Sequence, residues 1–167
     1  MADLDAILAA NRHAADDLLK GCERCSGVWT TPCAPGKWSP SQLVEHVARA
    51  YEESANAVSG APSKFPKVPG LLRPVLRTVF FNRVVKKGTF FKGKTNRAFD
   101  PVDGPATPAA ARTRLDEAVR KFESACRARI STADSYESSI FGTVRLADYV
   151  KFQEMHTRHH ARQLPGA

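Results

Sequence analysis

The chain has 167 residues, 43% of them apolar, which is enough to bury one sizeable core and too short for two ordinary domains. The start of the chain has no basic n-region followed by a long apolar stretch, and no run of roughly 18 apolar residues occurs anywhere, so secretory and membrane-spanning classes are excluded and a soluble, cytoplasmic protein is expected. The net charge is +8, yet ten of the 25 Lys and Arg lie between Ala61 and Phe99, where there is no Asp or Glu, so the basicity belongs to one segment.

From Asp3 to about Arg24, the residues Leu4, Ile7, Leu8, Asn11, Ala15, Leu18, Leu19 and Cys22 recur at helical spacing, which predicts a first helix. Thr30, Thr31, Pro32, Pro35 and Gly36 then mark an irregular connection. The second helix opens at Ser39 as N-cap, with Pro40 at its first position and Gln42 closing a capping box. Leu43, His46, Val47 and Ala50 share a face, so His46 points with the core residues. The basic segment holds a shorter helix from Leu71 to Val85, with Pro74 tolerable only in its first turn. Its stripe of Leu72, Val75, Leu76, Val79 and Phe80 is expected to cover the protein's own core.

Gly88, Gly93, Pro101, Gly104 and Pro105 predict a long loop. Thr107 and Pro108 then start a helix carrying Ala111, Leu115, Val119, Phe122 and Cys126. The last helix spans roughly Arg145 to Leu164, after the turn-like Phe141-Gly142, and Pro165-Gly166 ends it. No useful strand pattern of period two appears. Four long amphipathic helices with one long crossover predict an all-α, four-helix bundle forming one domain over residues 1–167, with 61–106 as a basic insertion between the second and third long helices.

The last helix reads His156-Thr157-Arg158-His159-His160. Residues four apart stand one above the other on a helix, so His156 and His160 can aim at one point, and His46 can complete a three-histidine site with an open coordination position. A lone histidine on an apolar face is usually a hydrogen-bonded core residue. Three of them, with Gln163 continuing the stripe one turn later, make a polar seam of the kind in which bundles house metals. Three neutral imidazoles suit a divalent transition metal, zinc or nickel first and cobalt or iron besides. His159 falls at the rim, and Gln163, Asp148 and Glu45 are the candidates, by helix position, for orienting the imidazoles. His13 has no partner in sequence and reads as a hydrogen-bonded core residue of the first helix.

The run from Trp38-Ser39-Pro40 through Glu45-His46-Val47, and the run from Phe141-Gly142 through Asp148-Tyr149 to His156-Thr157-Arg158-His159-His160-Ala161-Arg162-Gln163, resemble the DinB/YfiT-like superfamily, in the branch whose last helix carries His-x-x-His-His-x-x-Gln. The resemblance covers nearly the whole chain, the basic insertion included. It implies a four-helix bundle and a divalent metal held by the residues matching His46, His156 and His160. It also implies chemistry of the kind found among characterised relatives, which include metal-dependent thiol transferases and a thiol-dependent isomerase. A low-molecular-weight thiol as co-substrate, a small-molecule substrate, hydrolysis as the competing reaction, and a homodimer follow as expectations from the same likeness.

Cys22, Cys25, Cys33 and Cys126, in a chain read as cytoplasmic, are expected to be reduced thiols that pack helices, since Cys22-x-x-Cys25 lies at a helix C-terminus, where the dipole does not activate a thiol. The basic segment interleaves Phe80, Phe81, Phe90, Phe91 and Phe99 with its cations. It reads first as a cap over the bundle mouth. The alternative is a binding protein that uses Arg73, Arg77, Arg83, Lys86 and Lys87 against nucleic acid, an anionic membrane or a protein partner.

Overall fold

The computed structural model describes residues 4–32, 34–90 and 99–164. Asp3, Cys33, Phe91, Gly93 and Pro165-Gly166, which figure in the sequence reading, lie outside the described residues. Helix α1 (Leu4–Arg24) buries Leu8, Ala15, Leu18, Leu19 and Cys22 on one face. Helix α2 (Pro40–Ser59) begins with the capping box: Ser39 Oγ accepts from the Gln42 N–H, and the Ser39 N–H donates to Gln42 Oε1. It stops at Gly60, whose φ of 80° lies in the left-handed region that glycine adopts without steric cost.

Between α2 and the next long helix the chain forms a helical insertion. A 3₁₀ turn (Gly70–Leu72) leads into α3 (Arg73–Leu76), a π turn (Arg77–Phe81) and α4 (Asn82–Lys87). The π turn has a visible packing cause. Adjacent residues on an α-helix face different ways, yet Phe80 and Phe81 both reach the rings of Phe141 and Phe152, at centroid separations of 5.1 to 6.2 Å. One extra residue per turn lets both face inward. The expected apolar stripe therefore divides. Leu76 and Phe80 pack on the core, while Leu72, Val75 and Val79 are 53%, 56% and 56% exposed, so those three do not cover the bundle.

Helix α5 (Pro108–Ile130) is capped by Thr107, whose Oγ1 accepts from the Ala110 N–H. Helix α6 (Leu146–Ala161) closes the bundle. Helix α2 lies along α5, and α1 packs against both α6 and α5. Leu18, Val44, Val47, Leu115, Phe122 and Val150 fill the space between them, each contributing about 1.5–3 kcal/mol by burial. A two-stranded antiparallel hairpin, β1 (Ser135–Ser138) and β2 (Gly142–Arg145), joins α5 to α6. The all-α architecture stands, and the hairpin left no period-two pattern in the sequence because four residues are too few to display alternation, although Tyr136 and Val144 do point inward. The hairpin also anchors the insertion, for Val68 N–H donates to Ser139 O, at 2.9 Å.

A buried polar chain sets the register of α6. Thr157 Oγ1 donates to Tyr51 Oη, Tyr51 Oη donates to Asn11 Oδ1, and Asn11 Nδ2 donates to the Val150 carbonyl, each at 3.0 Å. Misplacing α6 along its axis would strand all of these groups unpaired, at about 1–3 kcal/mol each. The histidines flanking Thr157 are thereby held opposite α2.

Candidate metal centre

The crossover returns to the start of α2 by polar contacts that fix its height. Trp29 Nε1 and Ser41 Oγ donate to the Pro105 carbonyl at 2.7 and 2.8 Å, and Gln42 Nε2 donates to Pro101 O and Val102 O at 3.2 Å each. Gly104 lies so close that a Cβ there would sit 2.3 Å from Ser41 O. This docking brings the Phe99 carbonyl to 2.8 Å from His46 Nδ1. A carbonyl only accepts, so His46 carries its proton on Nδ1 and presents the Nε2 lone pair inward.

His160 is arranged the same way from the other side. Its Nδ1 donates to Gln163 Oε1 at 3.1 Å, while Gln163 Nε2 donates to His159 Nε2 at 3.1 Å, which fixes the amide's orientation. His156 Nε2 then lies 3.3 Å from His46 Nε2 and 3.1 Å from His160 Nε2. Two of these three nitrogens present lone pairs, and a single proton on His156 Nε2 can satisfy only one of them. A cation satisfies all three. Zinc–nitrogen bonds of about 2.0–2.1 Å in tetrahedral geometry separate ligand nitrogens by about 3.3–3.4 Å, close to the spacings found. The donor set and its geometry therefore fit a divalent metal, and among the described residues this is the only group of three or more His, Cys, Asp or Glu placed to hold one.

Electrostatics favour the neutral imidazoles that a metal requires. Burial, followed by the neighbouring histidines, holds His156 well below the ordinary histidine range and lowers His160 to about 3. His46 is lowered by burial against the opposing pull of the Phe99 carbonyl and Asp100. His156 Nδ1 is sealed from solvent without a hydrogen-bond partner, unlike the corresponding atoms of His46 and His160.

The other expected residues distribute unevenly. Gln163 stands beside His160 and His159 as anticipated. His159 occupies the rim, its ring 5.1 Å from that of Phe90. Glu45 turns away from the imidazoles to accept from Arg49 and Arg114. Asp148 lies in the first turn of α6, two turns before His156, and contacts none of the three rings through any hydrogen bond described. The Phe99 carbonyl, a backbone group, was invisible to reasoning about side chains. Trp38, which only the family likeness marks in the sequence, has its ring 4.7 Å from that of His46 and 5.9 Å from that of His160.

Of the basic residues, Arg73 pairs with Glu137 and donates to Val68 O, and Arg77 donates to Thr143 O, so both brace the insertion against the hairpin. Arg83, Lys86 and Lys87 are exposed. Cys22, Cys25 and Cys126 are buried, and burial raises the Cys126 thiol to about 12, which leaves it inert as a nucleophile. His13 is exposed.

The three imidazoles open into a cavity of about 990 Å³ whose walls include Trp38, Phe65, Phe80, Phe90, Phe141 and Phe152. No described helix is long and apolar enough to cross a membrane. No curated protein and no solved structure matches the chain, whereas the family model of the DinB superfamily matches residues 7–164, from the first helix through Leu164. With that match spanning nearly the whole chain, and a helical bundle holding three histidines at its mouth, the protein belongs to the DinB superfamily.

Proposed function

We propose that this chain is a metal-dependent enzyme acting on a small molecule, with a divalent transition metal, zinc or nickel, held by His46, His156 and His160. The observation that carries the reading is the convergence of three Nε2 atoms, two of them with tautomers fixed by outer partners. A metal held by three imidazoles with one position open supplies Lewis-acid chemistry and can bind a thiolate or activate water. Phe99 and Gln163 would keep the rings aimed, and the aromatic walls would exclude bulk solvent. Among the described residues, Asp100 is the one carboxylate in the cavity lining. A thiol ionises readily near neutral pH and needs little help from a base, whereas water needs more. Transfer of a low-molecular-weight thiol to an electrophile therefore stands ahead of hydrolysis.

Metal analysis of protein purified without a histidine tag tests the site. The parent should carry close to one equivalent, and His46→Ala, His156→Ala and His160→Ala should each lose most of it; unchanged content in all three would remove the assignment. A screen of metal-loaded protein with thiols plus halogenated or epoxide electrophiles, beside ester and amide substrates, addresses the reaction.

A second reading is favoured by one observation: Leu71, Leu72, Val75 and Val79 are exposed on a segment without acidic residues, with Arg83, Lys86 and Lys87 also exposed. In this reading the protein is a binding module whose insertion meets nucleic acid or an anionic membrane. Titration onto duplex DNA, single-stranded DNA and anionic vesicles at two salt concentrations separates the partners, because counterion release gives a steep loss of affinity with salt.

A further inference from the structure

Among the described residues that line the cavity, the side-chain NH₂ of Gln153 is used neither by the metal site nor by the fold. Gln153 lies on α6 one turn before His156, is 3% exposed, and lines the cavity. Its Nε2 is buried without a hydrogen-bond partner. A buried amide N–H left unpaired is costly, and native proteins retain few of them.

The orientation of this amide is set from behind. Ser54 Oγ, fully buried, donates its one proton to Gln153 Oε1 at 3.4 Å. The contact of 2.9 Å between Ser54 Oγ and Tyr149 Oη must then have the tyrosine as donor. Burial raises the Tyr149 hydroxyl, which keeps it protonated and able to donate. The chain from Tyr149 through Ser54 thus holds the amide oxygen toward α2 and leaves the NH₂ as the unpaired end. Phe80, Phe141 and Phe152 line the same cavity, and their rings, with that of Phe81, pack in stacked, tilted and edge contacts at 5.1 to 6.2 Å.

We infer that Gln153 is a substrate-binding residue, and that the cavity takes a flat aromatic compound bearing a carbonyl group, whose oxygen accepts from Gln153 Nε2 while its ring lies among the phenylalanines. An aromatic body suits these walls by area and by ring geometry, and a neutral carbonyl oxygen is an acceptor that the amide donor can pair. The inference rests on the reading of this cavity as the substrate site. It makes Gln153 a determinant of specificity: a site built to hydrogen-bond a polar group rejects the analogue that lacks it, because the donor is then left unpaired.

The test uses the full chain, with metal content measured in each sample, and two probes of nearly equal shape, 2-acetylnaphthalene and 2-ethylnaphthalene, followed by ligand-detected NMR and Trp fluorescence. The parent should bind the ketone about tenfold more tightly than the hydrocarbon. Gln153→Leu should bring the two to within about twofold, by weakening the ketone and strengthening the hydrocarbon. The preference should survive removal of the metal with a chelator, since Gln153 is not a ligand, so failure of the metal assignment leaves this result standing. Equal binding of the probes by the parent, absence of binding, or a preference that persists in Gln153→Leu but disappears with the metal would overturn it. If Gln153→Leu does not fold, Ser54→Ala releases the amide from its anchor and should reduce the ketone preference; an unchanged preference would count against the inference.

Discussion

At the scale of single residues, the centre depends on groups that aim imidazoles as much as on the imidazoles themselves. Gln163 accepts from His160 Nδ1, and partners of this kind typically change metal affinity by about 10- to 100-fold. Gln163→Leu should therefore retain the fold and weaken metal binding in competition with a chromogenic chelator; an unchanged affinity would mean the amide is incidental. The lowered pKa values fix a pH dependence. In the unfolded chain these histidines take up protons near 6.5, while in the metal-free folded protein burial holds His46 and His156 below that value and His160 at about 3. The unfolded state binds more protons between those limits, so stability is full above pH about 6.5 and falls as the pH drops toward 3. Denaturant midpoints of chelator-treated protein at pH 7.5 and 5 should differ in that direction, and His160→Gln should flatten the difference.

At the scale of elements, two segments do the positioning. The crossover presses Gly104 onto Ser41, where an added Cβ would meet backbone at 2.3 Å. Gly104→Ala should cost about 1–3 kcal/mol of stability and should also weaken metal binding, since Phe99 would be displaced from His46; equilibrium unfolding and metal titration on the same variant read the two effects. The π turn sorts the insertion's apolar residues into inner and outer sets. Phe81→Asp buries a charge in the core and should prevent stable folding, whereas Val79→Asp, at a position 56% exposed, should stay within about 0.5 kcal/mol of the parent. Equal destabilisation by both would mean that Val79 is covered.

At the scale of the whole molecule, the charge is divided between an insertion without acidic residues up to Phe99 and a bundle laced with ion pairs. Arg114 reaches both Glu45 and Glu52, and Arg12 pairs with the buried Glu123. Two like-charged insertions would repel across a two-fold axis, so a homodimer, proposed on the family likeness, should use the bundle faces instead. Light scattering on Val79→Asp should then give the mass of the parent. A shift to half that mass would place the insertion in the interface. Metal removal acts on the same scale: a ligand present at 100 to 1,000 times its Kd stabilises by about 2.7–4.1 kcal/mol, so chelation should lower the melting temperature of the parent and leave that of His156→Ala unchanged.

The helices, their caps and the three histidines were legible in the sequence because each is a local matter. The capping box at Ser39, Pro108 behind Thr107, and His156 and His160 four apart all follow from the period of the α-helix, which needs no knowledge of neighbours. His46 was legible for the same reason, through its place on the core face of α2. The hairpin was not, since strands of four residues are stabilised by pairing across the turn at Gly142 and by packing of Tyr136, not by any pattern of their own. Nor could helix position alone send Glu45 to Arg114. The Phe99 carbonyl and the unpaired amide of Gln153 were decided by tertiary structure alone. One is a backbone group, brought 53 residues along the chain to His46 by the docking of the crossover, and the other is defined by which partners the fold withholds.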